Sequence, residues 1–377
     1  MQTQRTATLN LIEHPWLGKQ EMIQSLDPLN FDNALPVLHA LNREGNTHEI
    51  IQLLYRHLPV PDRLDGFGYE EAIASMRDLG IFIGILKKHG IEPVDVLPEL
   101  EYVLLVLMVK TGLPPRDTLI HYTAWNPSNE RIRTYTGLED EKQLIESVKI
   151  AYPSLLDAIN LLDKTHSIAL NDPSFADHCT TIREMLEGMV RGIVLAKRKV
   201  SPEVFANELR FYYDAIKVDY NNKYMGPGAV EMPMFLIDHL LWSCDCDDQV
   251  YTEFKKGYLS YNLPVVREIY DRYENKPSLA ARMAQALATN SSLEVFNNAL
   301  ALADLFTVLK SFRMPHKKVA ESAYQHQDDK HHQKGSGGYA TDILQHIIDL
   351  QQRNTAAMMS ALVVERQKYV MEKVQTR

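Results

Sequence analysis

The sequence predicts an all-α protein, and three observations carry that reading. Apolar residues recur at spacings of three and four through most of the 377 residues, the period of a helix with one buried face. Prolines and glycines stand at the ends of these stretches, where helices start and stop. No alternating run of apolar and polar residues is long enough to read as a half-buried strand.

The elements follow in order. Residues 70–88 carry Ala72, Met76, Leu79, Ile83 and Leu86 on one face. Pro98 opens a helix over 99–110, and Gly112-Leu113-Pro114-Pro115 closes it. Two longer helices, 142–167 and 173–199, are separated by Asn171-Asp172-Pro173. Further helices are expected over 202–213, 230–242, 251–273 and 278–288. The last two run over 293–312, continuing through Tyr324, and over 342–373. Three polar or glycine-bearing stretches interrupt this rhythm, at 131–137, 219–228 and 325–338. A boundary within 111–137 would divide the chain into a smaller N-terminal helical domain, 1–120, and a larger helical domain, 121–377.

Composition narrows the function. Hydrophobic residues make up 45% and charged residues 24%, as in a globular protein with a substantial core. A net charge of −9 and the lack of a basic stripe speak against nucleic acid as partner. The longest apolar run, 103–109, is too short to cross a membrane. Glu13, His14 and Pro15 stand where a signal peptide needs apolar residues, so a cytoplasmic protein is expected. Three cysteines, Cys179, Cys244 and Cys246, form no even framework and fit a reducing compartment. Cys244-Asp245-Cys246 lacks the second pair that a zinc site requires. None of the three stands in the C-x-x-C-H pattern of covalent haem attachment.

One histidine stands out. Leu302, Leu305, Leu309, Phe312 and His316 fall on one helical face, and Pro315 is expected to kink the helix just before the histidine. An imidazole on an apolar stripe with Arg313 one turn earlier is the setting of an axial haem ligand with a cation near a propionate. On spacing alone, a hydrogen-bonded core histidine is the more frequent case.

Further segments stand in fixed order around it. Val200-Ser201-Pro202-Glu203-Val204-Phe205 leads into Leu209-Arg210-Phe211-Tyr212. Gly226-Pro227-Gly228-Ala229-Val230-Glu231-Met232-Pro233 precedes Asp238-His239-Leu240-Leu241-Trp242. Then come Phe312-Arg313-Met314-Pro315-His316 and Gly335-Ser336-Gly337-Gly338-Tyr339. In this order they resemble the haem superfamily of the indoleamine and tryptophan 2,3-dioxygenases. Gly66-Phe67-Gly68-Tyr69, Met76-Arg77-Asp78 and Ala124-Trp125-Asn126-Pro127 are similar, within that superfamily, to the monodechloroaminopyrrolnitrin synthases, which rearrange 7-chlorotryptophan. The resemblance spans nearly the whole chain.

It implies an indoleamine 2,3-dioxygenase-like helical fold binding haem b non-covalently, with His316 as the axial ligand of the iron. Arg313 would meet a propionate, and Gly226, Gly228 and Ala229 would line the distal side. Tyr324 and Ser336 are the candidate catalytic hydroxyls. Arg210, Tyr324, Ser336, Gly337, Gly338 and Tyr339 are the candidate substrate contacts, the glycines giving a lid its freedom. Arg210 suits a bidentate grip on an amino-acid carboxylate, with a pairing inside the core as the alternative. Glu231 and His239 lie within about 80° of each other on a helix and read first as structural pairs. The histidine-rich 325–334 reads as a solvated linker, with His331 and His332 as a weak metal pair.

The implied substrate is L-tryptophan or 7-chloro-L-tryptophan, with dioxygen or a peroxide and an electron donor, rearranged to an aminophenylpyrrole in pyrrolnitrin-like antibiotic biosynthesis. Indole ring cleavage to N-formylkynurenine is the first alternative, and haem binding or sensing without turnover the second. None of the candidate residues named above reads a chlorine.

Overall fold

The structure, a computed structural model, describes residues 19–289, 292–326 and 342–375. Helices make up nearly all of its regular structure, as the sequence predicts. The exception is a two-stranded antiparallel ribbon, Ile216–Val218 against Asn222–Tyr224, whose second strand lies inside the stretch expected to be irregular. Strands of three residues are too short to show an alternating pattern. Their turn is made by Asp219, Tyr220 and Asn221, all left-handed at φ 54°, 57° and 66°, a conformation that Asp and Asn tolerate best.

Four short helices that periodicity does not single out, Gln20–Ser25, Leu35–Glu44, Thr47–His57 and Pro61–Asp65, occupy the start of the chain. The helix Tyr69–Lys88 is their centre, buried at every position from Ala72 to Leu86. Burial on all sides explains why one apolar face under-describes it. Around it gathers one apolar core, including Phe31, Leu54, Phe82 and Leu104. A second core holds Trp125, Leu155, Leu186, Trp242, Leu302 and Leu309. Each core draws on both halves of the chain. Ile23 and Ile73 join the second, whereas Tyr135, Tyr212 and Ile216 join the first.

The second core is built on a pair of long helices, Glu139–Thr165 and Ser174–Lys199, packed along each other. Their short connection, with Pro173 as N-cap, makes them an antiparallel hairpin. Against Ser174–Lys199 lies the helix Leu293–Gln325, which carries His316. Ser292 caps its start, its hydroxyl accepting from the Val295 N–H at 3.2 Å. Leu302, Leu305 and Leu309 are at most 1% exposed, so the apolar stripe is the buried one. The helix runs through Pro315 without interruption. The closing helix Asp342–Gln375 packs on it and on Leu279–Thr289.

Three expected helices are divided. Residues 251–273 form Gln249–Leu259 and Pro264–Tyr273, because Leu263 before the proline is extended at ψ 145°. Residues 202–213 begin as an α-helix, Pro202–Asn207, and tighten into a 3₁₀ segment, Leu209–Tyr213. Residues 230–242 become a 3₁₀ turn at Ala229–Glu231, a short helix Met234–Asp238 and a π-turn His239–Ser243. Single π-turns within helices are frequent at functional sites.

Candidate functional site

A cavity of about 480 Å³ opens between the His316 helix, the Glu139–Thr165 and Ser174–Lys199 pair, and the segments 200–210, 229–238 and 343–347. It falls within the size range of small-molecule and cofactor sites. The wall from the helix pair includes the small residues Ser147, Ala151, Gly192 and Ala196 beside Leu144, Met189 and Ile193. Gly192 marks the closest approach, since a Cβ there would lie 2.4 Å from the Ser147 carbonyl oxygen. The opposite wall is Phe312, His316, Val319 and Ala320 from a single helix face.

His316 faces this space. Its ring lies 5.4 Å from that of Phe312, and it hydrogen-bonds to none of the described residues. Burial, with the Arg313 charge second, holds its pKa down to about 4. At neutral pH it is an uncharged imidazole with a lone pair open to an apolar cavity, the state a metal requires. The ring is half-buried, as expected of a group whose free side is cavity rather than packed protein.

Charge is unevenly distributed along the lining. Among the described residues its lysines and arginines are Lys197, Arg210, Arg313 and Lys318, and its one carboxylate is Asp238. Lys197 and Lys318 are exposed, so they mark the mouth. Arg210 is buried, and its guanidinium carbon lies 5.5 Å from the centroid of the Tyr324 ring. The two side chains act as a unit. Burial raises the Tyr324 pKa against the pull of Arg210, and burial lowers that of Arg210.

The deep end is a closed polar network. Arg313 is 4% exposed and pairs with Asp238 through Nη2, while its Nη1 donates to Gln351 Oε1. Asp238 also accepts from the Tyr251 hydroxyl at 2.5 Å and from Trp242 Nε1 at 3.0 Å. Burial first, and then the Asp238 charge, push the Tyr251 phenol well above its usual range. Tyr251 stacks on Trp242 with ring centroids 5.5 Å apart.

The expected site residues therefore separate. His316, Arg313, Arg210, Tyr324 and Ala229 share one cavity. Gly226 does not line it. Its backbone packs against Tyr213, where a Cβ would meet Tyr213 Cα at 2.8 Å and Arg116 Nη2 at 2.6 Å. Gly228 is also off the lining, its N–H donating to Glu231 Oε1 at 3.4 Å. The expectation that both glycines line the distal side gives way to packing, and Ala229 and Val230 do the lining. Arg313 faces the cavity with its guanidinium already committed to Asp238 and Gln351. Ser336, Gly337, Gly338 and Tyr339 lie outside the described residues, as do His331 and His332.

Glu231 and His239 are structural pairs, as first read. Buried Glu231 accepts from the Leu119 N–H at 2.6 Å, and burial raises its pKa far above the usual range. His239 meets the Tyr270 carbonyl at 3.1 Å, and burial and then Lys255 hold its pKa down to about 3. Among the described residues no cluster of His, Cys, Asp and Glu could hold a metal ion, and no helix is long and apolar enough to cross a membrane. Cys244 donates instead to the Lys276 carbonyl at 3.1 Å.

Asp238 and Tyr251 were not anticipated as site residues. A signal exists in the sequence: Asp238 interrupts the apolar run Met234-Phe235-Leu236-Ile237, and a carboxylate in such a run is costly unless paired. Trp242 is only four residues on, but Tyr251 and the charge partner Arg313 are 13 and 75 residues away, beyond any local pattern.

An apolar cavity, one open neutral imidazole and a cationic mouth agree with the family likeness read from the motifs. The family profile described as monodechloroaminopyrrolnitrin synthase PrnB matches residues 20–372, so the chain belongs to that family of enzymes of pyrrolnitrin biosynthesis.

Proposed function

We propose that the protein binds haem b in this cavity with His316 as axial ligand, and rearranges the indole of L-tryptophan or 7-chloro-L-tryptophan to an aminophenylpyrrole. The observation that carries the reading is the charge pattern of the cavity around an uncharged imidazole. Arg313 and Asp238 neutralise each other. Among the described residues the remaining lining lysines and arginines are Lys197, Arg210 and Lys318, and no further carboxylate lines the space. Haem carries two carboxylates and an amino acid one beside its ammonium group, and a lining richer in cations than in carboxylates suits those three anions.

The residues fit the group. His316 offers the lone pair, and Phe312, Val319, Ala320 and Val230 give apolar walls that suit the faces of a macrocycle. Lys197 and Lys318 at the mouth suit the propionates, which reach solvent most easily there. Arg210 suits the substrate carboxylate, its planar fork matching the two oxygens. Tyr324, against Arg210, stays a neutral phenol and presents a hydroxyl donor. Haem, when bound, supplies the oxidising chemistry toward dioxygen or a peroxide, with an electron donor for the former. The protein orients the indole and excludes water through an apolar lining. Ser336 and Gly337–Tyr339 remain candidate substrate contacts by family likeness alone.

The test is an absorption spectrum of haem-supplemented protein, wild type beside His316→Ala, followed by product analysis with each indole. A Soret band lost in the variant and shifted by the amino acid supports the site. An aminophenylpyrrole product supports the reaction. N-formylkynurenine as product would replace the rearrangement with ring cleavage, and a wild type that takes up no haem would refute the assignment.

A further inference from the structure

Asp238 is 1% exposed and accepts hydrogen bonds from three elements at once. Arg313 comes from the His316 helix, Tyr251 from the helix Gln249–Leu259, and Trp242 from the π-turn. Gln351, which takes the other side of the guanidinium, is itself anchored to the Phe306 carbonyl at 3.2 Å. Every partner of Arg313 is thus buried and fixed, and the cation cannot swing toward the mouth to meet an anion there. It sits one turn before His316 on the same helix. In a low-dielectric interior an unbalanced charge at that place would act strongly on any charge change at the ligand.

We propose that Asp238 is a positioning residue whose carboxylate balances Arg313 and so sets the electrostatic environment, and the reduction potential, of the iron bound by His316. The inference rests on the haem reading given above. It replaces the expected contact between Arg313 and a propionate with an internal counter-ion, and it explains why an acidic residue stands in the apolar run ahead of the π-turn. Tyr251 and Trp242 keep the carboxylate oriented toward the guanidinium by occupying its remaining lone pairs.

The sign of each perturbation follows from charge alone. Asp238→Asn keeps the cation and removes its balance, which disfavours the more positive ferric state and raises the potential. Arg313→Met leaves the carboxylate unbalanced and lowers it. With both replaced the net local charge returns to zero, and the potential returns near wild type.

The experiment is a spectroelectrochemical titration of the haem-loaded wild type, D238N, R313M and the double variant, with circular dichroism as the control for folding. The expected result is an upward shift, a downward shift and a return, in that order. An unpaired buried guanidinium can prevent D238N from folding. In that case the double variant against R313M measures the same carboxylate without the unpaired cation, and the double must lie higher. Shifts of one sign in both single variants, or a double variant equal to R313M, would overturn the inference while leaving haem binding intact. A wild type that binds no haem overturns it together with its parent reading.

Discussion

Two glycines one turn apart on the helix Ser174–Lys199 make opposite demands, and exchanging each for alanine tests the packing behind the cavity wall. Both are buried where this helix crosses Glu139–Thr165. At Gly188 an added Cβ would meet Ser154 Cβ at 3.4 Å and the Ile150 carbonyl oxygen at 3.5 Å, ordinary contact distances. At Gly192 it would meet the Ser147 carbonyl oxygen at 2.4 Å. That oxygen is backbone, fixed in a helix, and cannot rotate away. The two helices would have to part locally by about 1 Å to restore contact, with an overpacking cost of about 1–3 kcal/mol.

Alanine also removes the entropic penalty of a helical glycine, a gain of about 1 kcal/mol at either position. At Gly188 only this gain operates, so Gly188→Ala should raise the melting temperature by about 2 °C. At Gly192 the steric term offsets that gain, and the net loss of up to about 2 kcal/mol should lower the melting temperature in Gly192→Ala by up to about 4 °C. Thermal unfolding by circular dichroism on the haem-free protein reads both. Gly257, where a Cβ meets nothing within 4 Å, gives the reference for helix propensity alone. If Gly192→Ala stabilises as Gly188→Ala does, the tight crossing and the wall built on it are refuted.

Three further outcomes are expected. Stability should fall as the solution is acidified below pH 6.5. Burial first of all holds His166 down to about 4 and His121 and His239 down to about 3, so the unfolded chain binds protons that the folded one does not. His166 alone contributes about 3 kcal/mol, present above pH 6.5 and lost progressively toward pH 4; a melting temperature unchanged between pH 7 and pH 5 would contradict this. Asp78→Asn should cost about 3–5 kcal/mol, because Arg77 at 2.8 Å and Arg133 at 3.0 Å share that fully buried carboxylate; urea unfolding with a loss under 1 kcal/mol would show the network to be incidental. Arg210→Met should weaken tryptophan binding to the haem-loaded protein by about 10–100-fold, the worth of a charged hydrogen bond, with haem uptake unchanged; a Soret titration giving the wild-type affinity would remove Arg210 from the substrate contacts.

What was legible in the sequence was whatever local chemistry decides. Pro98 and Gly112 bracket a helix because one lacks an N–H and the other accepts a left-handed φ of 67°, and the helix Glu99–Thr111 lies where they put it. The stripe ending in His316 was legible because a buried face repeats every three to four residues over a helix of 33. Pro264 divides what periodicity alone reads as one helix over 251–273. Short pieces were harder. The ribbon at Ile216–Val218 and the turns around Met234–Asp238 depend on tertiary pairing rather than on a repeat.

Site residues divide along the same line. A glycine in a motif announces that something approaches its backbone, without saying what. At Gly226 the visitor is Tyr213, not a ligand, although the motif led to the cavity through its neighbour Ala229. Arg313 shows the same limit more sharply. Its place one turn before His316 suits a propionate partner and a buried counter-charge equally well, since both need a cation near the ligand. What separates the two is the anion it meets, and Asp238 lies 75 residues earlier on another element. Sequence spacing could identify the cation; only the fold could identify its partner, and the partner decides whether that charge is offered to a ligand or kept by the protein.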